Sequence, residues 1–319
     1  MTKRATIKAL SLTKEYLNSA NLFGKSECFT ALEDVSFTLT QGESLSILGE
    51  AGSGKSTLAK ILVGAEHATS GVLEIDDKDV SKVKSNKHQN RNRRVRMVYQ
   101  NTMGSLNPSL TIGEILSEPL INMTKLTKSE REERLFNVLE LVGLKSDHST
   151  RLPHTFSAGE RQRIAIARAL ILDPVCIIAD EPLSVLETSA QSQIVNLMLD
   201  LQKELNLSYI MISYNLDVVE HMCDKIMVLC RGRVVEYGAT QQVLRNPKHP
   251  YTKSLLSRTQ SPINRKLETN ESEMKGCIYC DRCMDVNEHC HQQKPEQVLV
   301  DGCLVSCHQY SETNKKATN

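Results

Sequence analysis

The chain of 319 residues has no tryptophan and only five phenylalanines, so aliphatic side chains must build its core. It also lacks an excess of either charge. Its 39 Lys and Arg stand against 38 Asp and Glu, and a net charge of +1 gives no global field to draw in nucleic acid or an acidic partner. No apolar run approaches the roughly 20 residues of a bilayer-spanning helix, and Met1 to Tyr16 lacks the apolar stretch of a secretion signal. These absences point to a cytosolic protein that reaches a membrane only by docking on membrane proteins. With 40% apolar and 24% charged residues, the composition is that of a soluble globular protein, long enough for one large domain or two smaller ones.

What is present begins with Gly49-Glu50-Ala51-Gly52-Ser53-Gly54-Lys55-Ser56-Thr57, which fits the phosphate-binding pattern G-x-x-x-x-G-K-[ST] without a mismatch. Ser44–Leu48 before it reads as a short buried strand, and Leu58–Val63 after it carries helical apolar spacing. In that setting the glycines let backbone N–H groups turn toward phosphate oxygens, and the helix adds the positive end of its dipole. Lys55 is expected to reach the β- and γ-phosphates and the Ser56 hydroxyl to ligate Mg²⁺. The loop argues for a bound nucleoside triphosphate; by itself it does not argue for hydrolysis.

Residues 1–48 alternate in strand fashion, with a polar break at Asn18–Ser26. Gly71–Ile75 and Val95–Tyr99 read as further strands, and Thr111 to Leu172 as helical, with charged faces such as Lys128–Arg134. Strand-like runs return at Val175–Ala179, Tyr209–Ser213 and Lys225–Cys230. This alternation argues for an α/β core with a largely parallel sheet and a helical insertion. The basic run Lys82–Arg96 has no interleaved aromatic on which bases would stack, which favours a solvated or protein-docking face over nucleic acid.

A second motif, Phe156-Ser157-Ala158-Gly159-Glu160-Arg161-Gln162-Arg163, opens a helix. With the phosphate loop about a hundred residues upstream, it resembles the L-S-G-G-Q signature of ATP-binding-cassette (ABC) ATPases. Ala158 and Glu160 stand where glycine and glutamine are usual. The resemblance implies that Ser157, Ala158, Gly159 and Glu160 face the ATP held by a second ATPase subunit. Val175-Cys176-Ile177-Ile178-Ala179-Asp180-Glu181-Pro182 is similar to the Walker B strand and its catalytic glutamate. Asp180 would hold Mg²⁺, and Glu181 would orient and polarise the attacking water, since phosphoryl transfer rests on positioning and charge stabilisation. Gln100 occupies the Q-loop position, touching Mg²⁺ or the water, and Tyr16 that of the aromatic that stacks on adenine.

Two segments depart further from the family. Tyr214-Asn215 follows the strand Tyr209–Ser213 where a histidine and an acid are usual, and Glu187 replaces an aspartate. Tyrosine is neutral near pH 7 and offers one hydroxyl, so an impaired site of this chain's own is expected, with the alternative that both are tolerated variants. Only one phosphate loop and one signature occur, which speaks against soluble non-transport members with tandem cassettes.

Six of the ten cysteines lie between Cys277 and Cys307, a clustering that in a cytosolic chain suggests metal before disulfides. Asn246–Thr252 and the cysteine region resemble the C-terminal part of oligopeptide/dipeptide importer ATPases, whose pattern Cys277, Arg282-Cys283, Cys290 and Cys307-His308 reproduces. That resemblance implies a [4Fe–4S] cluster on Cys277, Cys283, Cys290 and Cys307. Zinc is the rival. Cys280 and Cys303 are surplus, and ferredoxin-like spacing allows Cys280 to replace a ligand. The implied organisation is an α/β ABC nucleotide-binding domain of the P-loop NTPase class over 1–256, with an antiparallel β subdomain and a helical subdomain at about 101–172. A linker (257–275), a small cysteine-rich extension (276–310) and a disordered tail (311–319) follow. The implied partners are a homologous ATPase, two transmembrane permeases and an external substrate-binding protein, with this chain peripheral on the cytoplasmic side of the inner membrane and ATP and Mg²⁺ as its ligands.

Overall fold

A computed structural model describes residues 5–18, 27–81, 93–100, 102–257 and 276–310. The expected linker apart from Ser257, the expected tail, most of the polar break before Glu27, and 82–92 of the basic run lie outside the described residues. The central strands β3 (Ser44–Leu48), β6 (Val95–Val98), β7 (Cys176–Asp180), β8 (Ser208–Ile212) and β9 (Lys225–Cys230) pair in parallel. The antiparallel strands β10 (Arg233–Ala239), β11 (Gln297–Val300) and β12 (Cys303–Ser306) extend them into an eight-stranded sheet, ordered β11-β12-β10-β9-β3-β8-β7-β6. A second, antiparallel sheet is ordered β2-β1-β4-β5, from β1 (Ala5–Asn18), β2 (Glu27–Thr40), β4 (Ser70–Ile75) and β5 (Lys78–Asp79).

Side chains alternate across a strand, and in the central sheet each side meets a different core. Ile177, Ala179, Tyr209 and Met211 enter the core shared with the helices. Cys176, Ile178, Ile210 and Ile212 enter the one shared with the second sheet and with α1 (Lys55–Val63). Burial on both faces is why these strands are short, mostly apolar runs. The helical region comprises α2 (Thr102–Ser105), α3 (Ile112–Met123), α4 (Lys128–Leu141) and α5 (Ala158–Leu170). Thr111, Thr127 and Ser157 start the last three through capping boxes with Glu114, Glu130 and Glu160.

The helices α6 (Thr188–Leu205), α7 (Leu216–Met222), α8 (Thr240–Arg245), α9 (Pro250–Ser257) and α10 (Glu288–Gln292) complete the described structure. The cysteine-rich extension joins the central sheet, because β12 pairs with β10 through Glu236↔Val305 and Tyr237↔Leu304. Among the described residues, no helix is long and apolar enough to cross a membrane. At the described end of the basic run, Arg94 is held by Asp76 through Nε and Nη2 at 2.7 and 2.5 Å, an intramolecular use of the charge.

Candidate nucleotide site

The phosphate loop leaves β3 and ends at Gly54, the N-cap of α1. Two glycines there are required. Gly49 has φ +156° and a Cβ on it would lie 2.2 Å from the Leu229 carbonyl oxygen; Gly54 has φ +102° and a Cβ would lie 2.6 Å from that of Ala31. The Lys55 ammonium, almost buried, folds back to donate to the carbonyls of Gly49 (2.6 Å) and Glu50 (2.7 Å) and to Ser53 Oγ (3.2 Å). Burial lowers its pKa, opposed by the carboxylates of Asp180, Glu181 and Glu50.

A cleft of about 620 Å³ opens over the loop, lined by residues 51–57, Gln100, Asp180, Glu181, Ser184, Ile212 and Tyr214, with Phe29 and Ala31 on its outer wall. Burial raises the pKa of Asp180, and Lys55 offsets this; burial also raises that of Glu181, with the Asp180 charge adding to it. Two carboxylates are thus held together in a half-buried site with one ammonium between them and the loop, an arrangement that gains from a divalent cation. Ser56, Asp180 and Gln100 line that cleft together, and their oxygen donors suit Mg²⁺.

Glu181 follows the end of β7 in the left-handed region (φ +47°), rare for a residue with a Cβ and typical of functional positions. Its N–H donates to the Ile212 carbonyl (2.8 Å), and its Oε1 accepts the Tyr214 N–H (3.0 Å). Gln100 Nε2 donates to Ser184 Oγ (3.3 Å), which donates to the Glu181 carbonyl (3.1 Å), linking the Q-loop position to the glutamate.

Position 214 takes a definite place. The Tyr214 ring stands 5.2 Å from Lys55 Nζ, over the loop, and its main chain fixes Glu181. Burial and the nearby carboxylates raise its pKa, so the phenol stays neutral. Asn215 caps α7, accepting from the N–H groups of Asp217 (3.1 Å) and Val218 (3.3 Å). Glu187 is the N-cap of α6 but makes no side-chain capping bond, because its chain is one methylene too long.

Several expected residues lie elsewhere. Gly49 and Glu50 are not on the cleft wall. Glu50 gives its N–H to the Tyr251 hydroxyl (2.9 Å) and its carboxylate to Arg282. Tyr16 is also absent from the wall, while Phe29, its partner across the β1–β2 ladder, is on it. Partners directly opposite share a face, so Phe29 lies on the face of the ladder that also carries Tyr16. Ser157–Glu160 lie outside the cleft. Ser157 Oγ donates to Glu160 Oε2 (2.8 Å) in the capping box, which gives the acid at 160 a structural use and holds its pKa down.

In the cysteine region Cys277, Cys290 and Cys307 are buried and Cys283 is half-buried. Burial pushes the Cys277 and Cys307 thiols up to about 11, and the four act on one another electrostatically. Among the described residues, the one group with ligand atoms within 4.8 Å of one another is Cys280, Asp281 and His291. No three of the four expected cysteines are that close, whereas tetrahedral zinc needs sulfur–sulfur spacings of about 3.8 Å. Cys303 stands apart, against Gln242 Oε1 (3.7 Å) and Gly238.

The chain matches the ABC transporter family over residues 32–184 and the oligopeptide/dipeptide transporter C-terminal region over 235–290. It is 43% identical over 312 residues to the dipeptide transport ATP-binding protein DppF of Haemophilus influenzae, covering 94% of this chain and 95% of that one. Identity to DppF of Escherichia coli is 42% over 311 residues, covering 94% and 93%. In three dimensions it resembles the ATP-binding cassette MJ0796, solved as a dimer in a post-hydrolysis state bound to ADP and Pi. That match has a TM-score of 0.63, with 27% identity, and covers 73% of this chain and 98% of that one.

Proposed function

Because the chain belongs to the ATP-binding subunits of ABC transporters, in the oligopeptide/dipeptide group, we propose that it drives a peptide importer from the cytoplasmic face of the inner membrane. It is an ATPase subunit; two permeases supply the pore, an external binding protein supplies the peptide, and a homologous ATPase completes the nucleotide sites. The observation that carries this is the division of the machinery. One cleft gathers the phosphate loop, Gln100, Asp180 and Glu181, while the signature at Ser157 lies outside it. Each site therefore needs a second cassette to cover its ATP.

In that reading the N–H groups of the loop and the start of α1 hold the phosphates. Lys55 exchanges the Gly49 and Glu50 carbonyls for phosphate oxygens, and Phe29 with Tyr16 flanks the adenine. Ser56 and Asp180, with Gln100, would hold Mg²⁺, which supplies charge stabilisation to the transferring phosphoryl group. Glu181, steadied by the Tyr214 N–H, orients the water and takes its hydrogen bond. The test is reconstitution with permeases, partner ATPase and binding protein in proteoliposomes. Peptide-loaded binding protein is expected to stimulate hydrolysis and drive uptake; hydrolysis indifferent to peptide would sink the importer reading. In the same assembly Tyr214→His is expected to raise turnover several-fold, because imidazole offers the γ-phosphate a donor that the neutral phenol over Lys55 replaces poorly. Unchanged turnover would show that tyrosine serves as well.

The cysteine region is proposed to hold a [4Fe–4S] cluster on Cys277, Cys283, Cys290 and Cys307. The all-thiol donor set, with Cys277, Cys290 and Cys307 buried and Cys283 half-buried, supports a cluster held by thiolates. Anaerobically purified protein is expected to absorb near 400 nm, with about four irons and four sulfides per chain. Stoichiometric zinc without iron would overturn the assignment.

A further inference from the structure

A carboxylate inside a phosphate-binding loop is an electrostatic problem. Glu50 is the second residue of the loop, and its charge acts on Lys55, the loop's phosphate ligand. The structure answers it from 232 residues away. Arg282 Nη1 and Nη2 donate to Glu50 Oε2 (2.8 Å) and Oε1 (2.9 Å), a two-pronged guanidinium–carboxylate pair, with both side chains about one quarter exposed. Arg282 ends the turn Cys280–Arg282, directly before Cys283. Its guanidinium stands over the Tyr279 ring (5.4 Å), and Tyr279 packs edge-on against Tyr251 (5.3 Å). Tyr251 in turn takes the Glu50 N–H.

Tyr251 is itself fixed. The fully buried Glu236 carboxylate accepts the N–H groups of Lys248 (2.8 Å) and His249 (2.9 Å), and His249 Nδ1 accepts that of Tyr251 (3.0 Å). Burial pushes the His249 pKa down to about 4, so its ring is neutral and able to accept. The loop residue is thus gripped at backbone and side chain by the region that carries the cysteines.

We infer that Arg282 is the counter-ion that makes the Glu50-bearing loop fit for a polyanion, so that the cysteine region sets ATP affinity by delivering one positive charge. Arg282 is a positioning residue; it does not touch the nucleotide. The inference rests on the ATP-binding reading. Charge compensation is separable from a mere tether, because the first predicts opposite signs for loss of Arg282 and loss of Glu50, and the second the same sign.

The test measures MgATP affinity of the purified full chain by titration with a fluorescent ATP analogue, with melting temperature followed alongside. Arg282→Gln is expected to weaken binding at least roughly tenfold, because the carboxylate's charge is then left beside the phosphates. Glu50→Gln is expected to tighten it several-fold, and the double variant to return to within about threefold of the parent. Arg282→Lys, which keeps the charge and loses the fork, is expected to retain most of the affinity. Unchanged affinity in Arg282→Gln would overturn the inference. So would equal weakening by both single variants with no recovery in the double, or a loss in Arg282→Lys as large as in Arg282→Gln. Lys55→Ala run in parallel tells this failure from failure of the ATP-binding reading, which alone predicts that Lys55→Ala weakens binding.

Discussion

Glu181→Gln is expected to leave MgATP bound and to cut turnover by about 10²- to 10⁴-fold, the range for removing a positioned proton-accepting group. The amide is nearly isosteric with the carboxylate, and its oxygen retains the Tyr214 N–H bond, so the left-handed backbone at φ +47° need not move. What is lost is the negative charge that polarises the water. Loss of that charge also relieves the crowding of Glu181 with Asp180, which adds to the upward pressure on its pKa. The variant should therefore hold ATP at least as tightly as the parent while hydrolysing it poorly. Single-turnover hydrolysis in the assembled complex, beside equilibrium ATP binding, checks both halves. Near-normal turnover would remove Glu181 from its catalytic place.

Lys55→Ala should do the reverse, striking binding first. Among the described residues, the lysine is the one ammonium on the cleft wall. In this structure it already spends three hydrogen bonds on Gly49, Glu50 and Ser53, partners placed to be exchanged for phosphate oxygens. Its removal leaves Asp180 and Glu181 without the charge that offsets their burial. Truncating one member of a buried charge pair costs about 2–5 kcal/mol, so ATP affinity is expected to fall by about 30- to 4,000-fold. Titration of the purified chain reads this directly, and affinity within a few-fold of the parent would place the phosphates elsewhere.

The central strands were legible because burial on both faces leaves short, mostly apolar runs. Val95–Tyr99, Tyr209–Ser213 and Lys225–Cys230 match β6, β8 and β9 to within a residue or so. Ser157 was legible as a helix start because a hydroxyl three residues before Glu160 is a local capping signal. Phe29 was not, since its place on the cleft wall beside the phosphate loop comes from the packing of the antiparallel sheet, which no spacing along the chain encodes. Nor was the use of Asn215, where the missing acid looked like a defect and the amide instead caps α7. Nor were the strands within the cysteine-rich extension, because short strands such as β11 and β12, with half-exposed faces, carry weak periodicity.

By itself, the sequence determined what is chemically local: a loop whose glycines permit its backbone, a lysine and hydroxyl at its end, an acid pair after a buried strand, and thiols in a set spacing. Only the tertiary structure decided which distant groups meet. The pairing of β12 with β10 brings the cysteine region beside the phosphate loop, and Arg282 reaches Glu50 across 232 residues. The physical reason is that a motif needs neighbours along the chain, whereas charge compensation needs neighbours in space. That second kind of neighbour exists only once the sheet has closed and the cores have packed.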